Sequence, residues 1–152
     1  MTIRPAAQKD LSAIYSLICE LESEVLSTED FEKAFLSCLL AETIYCFVAE
    51  NQNHVIGFLS LHIQTLLHHC GKVAEIQEFI VDENFRGQQA GTLLFQQAEQ
   101  TARQQQCKII EVTCNRRRTD AHRFYERQQM QPTHYKFVKV LSQEATLSGT
   151  SL

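Results

Sequence analysis

Residues 75–91, EIQEFIVDENFRGQQAG, restrict the fold of this chain more than any other stretch. Phe79, Ile80 and Val81 form an apolar run that reads as a strand. The chain then enters a basic, glycine-bearing turn, Arg86, Gly87, Gln88, Gln89, Ala90 and Gly91. Thr92 follows at the start of a helix, expected over residues 91–105, whose inner face carries Leu94, Phe95, Ala98 and Ala102. A strand that delivers such a turn to a helix N-terminus gathers free backbone N–H groups at the positive end of the helix dipole, a ready site for a phosphorylated ligand. The turn is neither GxxxxGK[ST] nor GxGxxG. A glycine-containing strand-to-helix connection with no ligand would read the same way, so the turn alone does not decide between them.

The rest of the chain is punctuated clearly. A short first strand is expected over residues 2–4, before Pro5. From Leu11 the positions Ile14, Leu17, Ile18, Leu21 and Val25 keep helical spacing, and Ser27 or Thr28 can cap a second helix with the stripe Phe31, Phe35, Cys38 and Leu39. Residues 43–50 and 54–63 read as a hairpin around Asn51, Gln52 and Asn53. Further strands are expected over 72–82, 108–114 and 134–141, with Ile109, Ile110 and Val112 as core, and a late helix over 119–129. One domain over 1–141 and a loose tail over 142–152 follow. The order β-α-α-β-β-β-α-β-α-β implies a mixed sheet covered by helices on both faces.

Composition excludes some functions. With 152 residues and a 44% apolar fraction the chain can bury a real core. A formal net charge of −4 argues against a general nucleic-acid binder. No apolar run is long enough to span a bilayer, and the first residues lack the apolar core of a signal peptide. Cys19, Cys38, Cys46, Cys70, Cys107 and Cys114 show no zinc-type spacing and read as reduced thiols, which places the protein in the cytoplasm.

A second segment, residues 115–127 (NRRRTDAHRFYER), reads by itself as an amphipathic surface helix. Tyr125 lies one turn beyond Ala121 and shares its face. Taken together, Arg86-x-x-Gln89-Ala90-Gly91 and Ala121-x-x-Phe124-Tyr125, in this element order, resemble the GNAT superfamily of acetyl-CoA-dependent N-acetyltransferases. The first matches the [RQ]-x-x-G-x-[GA] pyrophosphate loop and the second the late-helix signature. The resemblance covers nearly the whole chain before the tail. Within it, LICEL, LHIQTLLHH, EIQEFIV and DAHRFY are similar to the aminoalkylphosphonate N-acetyltransferases. Two positions depart from the pattern. Gln89 stands for a glycine at a position that favours φ > 0, so strain or a different bend is expected there, and Gln129 stands for the glycine that usually ends the late helix.

The resemblance implies an α/β (α+β) fold with a mostly antiparallel central sheet. Backbone groups of Phe79, Ile80 and Val81 would pair with the pantetheine arm, in a wedge opened by irregular strand pairing. Amides of Gly87, Gln88, Gln89, Ala90, Gly91 and Thr92 would hold the pyrophosphate. Arg86 would add charge or brace the turn, and Asn115, Arg118 and Ala121 would line the far side. Tyr125 is the expected proton donor to the leaving thiolate, and Glu78, with Glu75 second, the expected base. Three apart in a regular strand, these carboxylates would face opposite ways, so one at most faces the site.

His62, His68, His69 and Cys70 read as an acceptor-pocket wall or solvated loop, adjacent histidines pointing apart in a strand. The resemblance still admits a divalent metal. It also implies a small-molecule amine acceptor, preferably an aminoalkylphosphonate, with Arg116, Arg117 and Arg118 available to an anion, and allows a homodimer. The rival readings are a polyamine, amino acid or protein N-terminus as acceptor, and a noncatalytic acyl-CoA-binding module.

Overall fold

A computed structural model describes residues 1–142 of the chain. Of the expected tail, 142–152, only Ser142 is among the described residues. The chain divides into two compact units, Met1–Glu111 and Val112–Leu152.

The first unit opens with β1 (Thr2–Pro5), followed by a single 3-10 turn and the helices α1 (Leu11–Glu22) and α2 (Thr28–Leu40). Strands β2 (Ile44–Asn51), β3 (His54–Leu66) and β4 (Gly71–Val81) come next, then α3 (Ala90–Gln104) and β5 (Ile109–Val112), which runs out of the unit. The sheet order is β1-β2-β3-β4-β5, with β1 to β4 antiparallel and β5 reached through the α3 crossover rather than a hairpin. Gln52 and Asn53, at φ 49° and 63°, form the two-residue turn between β2 and β3, and two positive φ values are what a type I′ hairpin needs.

Strand register sorts the side chains into two layers. Val48, Phe58 and Ile80 stand opposite one another on one face and pack with Ile14, Leu17 and Ile18 of α1 and Phe35 of α2. Ala49, Gly57 and Val81 share the other face, which α3 covers with Leu94, Phe95 and Ala98. Gly57 admits that helix: a Cβ there would lie 3.1 Å from Leu94 Cδ1 and 3.2 Å from the Ile80 carbonyl oxygen. Each fully buried aliphatic side chain in these layers stabilises the fold by about 1.5–3 kcal/mol.

Helix ends follow local rules. Ser27 Oγ accepts the Asp30 amide at 3.3 Å and caps α2. α1 stops earlier than its apolar spacing predicts. Ser23 turns left-handed at φ 56° and Glu24 N donates to Cys19 O, so Val25 lies beyond the helix and is 85% exposed. α3 ends in the same 6→1 bond, with Gln106 at φ 61° and Cys107 N donating to Ala102 O. At the expected core strand β5, Ile109 is exposed and Ile110 and Val112 only half-buried, because β5 lies at the edge of the sheet.

In the second unit, α4 (Thr119–Arg127) is followed by Gln129 at φ 64° and a bond from Met130 N to Tyr125 O. The strand expected over 134–141 is not formed. Residues 131–142 have no ladder partner among the described residues, and Tyr135 and Phe137 are 86% and 95% exposed. An alternating pattern suits a strand but cannot supply the neighbour that makes one.

The N-terminus of the first unit is tied by charge. Arg4 on β1 donates to both carboxylate oxygens of Asp10 at 2.8 and 2.9 Å and to Glu50 of β2 at 2.6 Å, while Asp10 Oδ2 also accepts the Ala7 amide. The Arg4 guanidinium holds the Asp10 carboxyl below its ordinary range against the opposing effect of burial, and the Ala7 amide adds to it. Because the folded value is depressed, the stabilisation is complete above the unfolded carboxyl's range near pH 4 and is lost as pH falls through the folded value. Asp10→Asn is therefore expected to lose about 1–3 kcal/mol at pH 7. Its urea midpoint should also respond less to acid below pH 4 than that of the wild type; equal acid slopes would refute this role.

Candidate active site

In the first unit the site is built on an irregularity in β4. Pairing runs Ser60 to Glu78 and then Leu61 to Ile76, which leaves Gln77 as an extra residue in a β-bulge. The bulge resets the alternation of side chains. Glu78 stands opposite Ser60 and Glu75 opposite His62, and Ser60 and His62 are two apart on β3. Glu75 and Glu78 therefore lie on the same face, contrary to the expectation from a regular strand. That face is the one continued by Cys46 and Ile44 of β2, on the α1 and α2 side of the sheet. Neighbouring pairs on it stand roughly 7 Å apart along the strands.

Glu78 is half-buried, and its carboxylate Oε2 accepts a hydrogen bond from the Ser60 hydroxyl, whose Oγ in turn accepts the Glu78 amide at 3.2 Å. Its charge reaches both neighbouring elements. Burial, and then Glu78, push the Cys38 thiol on α2 up, and burial, with Cys38 and Glu78 adding, pushes Cys46 up to about 12. His62 Nε2 is enclosed without a hydrogen-bond partner among the described residues, facing the same surface from the next pair. His68 and His69 sit on a single 3-10 turn, Leu67–His69, rather than in a strand, with ring centroids 4.3 Å apart. Among the described residues no group of three His, Cys, Asp or Glu side chains is placed to hold a metal ion.

Further along β4, Ile80 is buried in the α1–α2 layer, while Phe79 and Val81 are half-buried toward α3. Arg86 braces the turn, donating from Nε to the Val81 carbonyl at 3.1 Å and pairing with Glu20 of α1 at 2.8 Å. Of the two expectations for Arg86, the geometry is that of the brace. Gln88 N donates to Phe85 O and its side chain to Asn84 O, so that amide is already engaged. Gly87 at φ 78° and Gln89 at φ 71° turn the chain into α3. Gln89 thus adopts the left-handed shape a glycine would have given, and bends in the same sense. Ala90, Gly91 and Thr92 form the first turn of the helix, where amides have no intrahelical acceptor and no side chain caps them. Ala90 is buried and Gly91 and Thr92 half-buried.

The second unit carries the other expected residues. Asn115 organises the turn before α4: its Oδ1 accepts the Arg117 amide at 3.0 Å, and its carbonyl accepts the Arg118 amide and His122 Nε2. Arg118 is the N-cap residue, and Ala121 and Tyr125 are half-buried, one turn apart on α4. The Tyr125 ring meets Phe124 edge-on at 5.6 Å. Burial pushes its phenol well up, with Cys114 adding and Arg118 opposing, so the O–H stays protonated through the neutral and alkaline range.

Sequence reasoning passed over Ser60, Cys38 as a neighbour of Glu78, and the face that Glu75 shares with Glu78. A lone hydroxyl within the apolar run GFLSLHI was the one available signal for Ser60.

Comparison with known proteins gives a consistent picture. Residues 11–129 match the Acetyltransferase (GNAT) family. The aminoalkylphosphonate N-acetyltransferase of Salmonella typhimurium is 38% identical over 139 residues, 91% of this chain and 90% of that protein. In fold, the chain resembles a transcriptional regulator from Bacillus halodurans C-125, with a TM-score of 0.85 at 24% identity over 92% of this chain and 99% of that one. It also resembles glucosamine-6-phosphate N-acetyltransferase from Arabidopsis thaliana, with a TM-score of 0.78 at 21% identity over 93% and 98%.

A non-glycine residue held left-handed costs about 1–2 kcal/mol, which glycine avoids at some cost in chain entropy. Gln89→Gly is therefore expected to stabilise the protein by roughly 0.5–1 kcal/mol. Thermal melting checks it, and a variant melting no higher than the wild type would show that the turn is unstrained.

Proposed function

This chain belongs to the acetyltransferase (GNAT) family and is an N-acetyltransferase, and we propose that its acceptor is the primary amine of a small aminoalkylphosphonate. The observation that carries the acceptor is the likeness to the Salmonella enzyme along nearly the whole of both chains. Acetyl-CoA is the family's acetyl donor.

In this reading the donor lies with its pantetheine arm along the backbone of Phe79, Ile80 and Val81. The burial of Ile80 in the core favours reading by backbone rather than side chain. Its pyrophosphate takes the amides at the start of α3, from Gly87, Gln89, Ala90, Gly91 and Thr92. Gln88 plays a smaller part, since its amide is bonded within the turn. Asn115, Arg118 and Ala121 complete the donor's contacts.

An alkylammonium ion has no lone pair to attack with, so a proton must leave first. Glu78 takes it, directly or through a water. The nitrogen then attacks the thioester carbonyl carbon while a β4 amide donates to the developing oxyanion. The C–S bond breaks, and the leaving thiolate takes the phenolic proton of Tyr125. The nitrogen, still carrying two protons and a positive charge after the attack, gives one of them to solvent to become the amide. The products are the acetamide and free coenzyme A, and solvent restores Glu78 and Tyr125 to their starting forms. The raised phenol of Tyr125 supports its role, because it is a proton donor across the working pH range. Arg116, Arg117 and Arg118 offer charge for the phosphonate. Six unpaired thiols suit a cytoplasmic enzyme.

A second acceptor, a polyamine, is favoured by Glu75 and Glu78 sharing one face, where two carboxylates suit a cation. A panel of 2-aminoethylphosphonate, spermidine and glycine, followed by release of free thiol, separates the two. We expect 2-aminoethylphosphonate to give the highest kcat/KM; parity with spermidine or glycine would end the phosphonate proposal. For Tyr125→Phe we expect kcat to fall about 100-fold or more with the acetyl-CoA KM little changed. Unchanged turnover would remove Tyr125 from the chemistry.

A further inference from the structure

We propose that Ser60 is the positioning residue for the base, fixing the Glu78 carboxylate in one orientation so that its other oxygen meets the acceptor's ammonium group. This inference rests on the assignment of Glu78 as the base.

Three buried polar residues stand out in the first unit: Asp10, Ser60 and Thr101. Asp10 is held by Arg4, and the Thr101 hydroxyl donates to Gln97 O one turn back on its own helix, so both are accounted for by local structure. Ser60 differs. It is 2% exposed in the middle of β3, between Leu59 and Leu61, both fully buried. Its hydroxyl is spent on Glu78, donating to Oε2 and accepting the Glu78 amide. A buried hydroxyl is costly unless it is bonded, and alanine would fill this place in a strand without that demand. What the hydroxyl adds is geometric. A glutamate side chain has three rotatable bonds, and a bond to one oxygen from a rigid strand selects one of their combinations.

The bulge gives this pair its meaning. Gln77 is the inserted residue, and insertion disrupts the ladder beside Glu78. Ser60 Oγ takes up the Glu78 amide at that point, so one hydroxyl secures both the backbone and the carboxylate of the same residue. Oε1 has no partner among the described residues, and it is the oxygen left to receive a proton. Glu75 has no such support: its partner across the strands is His62, whose Nε2 is itself without a hydrogen bond. Of the two carboxylates on this face, Ser60 marks Glu78 as the one held ready.

The test is a double-mutant cycle on kcat, using acetyl-CoA and whichever of 2-aminoethylphosphonate, spermidine or glycine releases thiol fastest. Ser60→Ala is expected to lower kcat roughly tenfold or more, with the acetyl-CoA KM within about twofold of wild type. In the Glu78→Gln background the same change should cost less than about twofold, because the group it orients is gone. If Ser60→Ala does not fold, Ser60→Thr against Ser60→Val replaces it. These two side chains match in shape and differ in the hydroxyl, so Thr should retain the activity that Val loses. An equal loss in both backgrounds, or no loss in either, overturns the positioning role while leaving Glu78 as base. Full activity of Glu78→Gln, or no thiol release with any acceptor, instead overturns the assignment beneath it, and the positioning role falls with it.

Discussion

One inserted residue in β4 governs the chemistry available to the first unit. Were Gln77 paired as an ordinary strand residue, β3 and β4 would alternate strictly, and Glu75 and Glu78 would project from opposite faces of the sheet. The bulge turns the strand by one residue. Above it, Ile80 keeps its place in the layer under α1 and α2; below it, Ile76 and Ala74 remain buried on the side of α3. The apolar layers are thus undisturbed at both ends. What changes is the middle, where Glu75 joins Ser60, Glu78 and His62 on one face. A polar strip running from a hydrophobic layer is hard to build from unbroken strands, because every polar residue placed there displaces a core residue. A bulge does it at the cost of a disrupted ladder position, part of which Ser60 repairs.

The turn after β4 solves a different problem, that of aiming backbone amides without a specialised sequence. Its side chains are occupied with the turn itself: Arg86 reaches back to Val81 and across to Glu20, and Gln88 reaches Asn84. An exposed ion pair such as Arg86–Glu20 contributes little to stability, but it engages the guanidinium with α1. An anion at the first turn of α3 would meet N–H groups and the helix dipole.

The helices and the principal strands were legible because their signals are local. The stripes Ile14, Leu17, Ile18 and Leu94, Phe95, Ala98 report burial directly, and Ser27 announces its helix. The order of elements followed from them, and the family from the loop and late-helix residues. Most of the errors concern properties that two segments share. A bulge depends on the register of β3 against β4, and nothing about Gln77 itself distinguishes it from any other polar residue. Residues 134–141 alternate like a strand, yet alternation says nothing of a partner. Ile109 looked like core because β-branched runs look alike in central and edge strands. Val25 continued the spacing of α1, but Ser23 ended the helix with a bend that sequence spacing does not register.

The left-handed residues have a consequence for how such proteins are found. Ser23, Gln106 and Gln129 close three helices, and Gln89 opens one of the three, all at positive φ and none of them glycine. At the three closures the bend is held by a 6→1 hydrogen bond and by what is packed around it. Shape here has been separated from the residue that usually encodes it. A search that demands glycine at these positions would pass this enzyme by, while one that compares backbones would not.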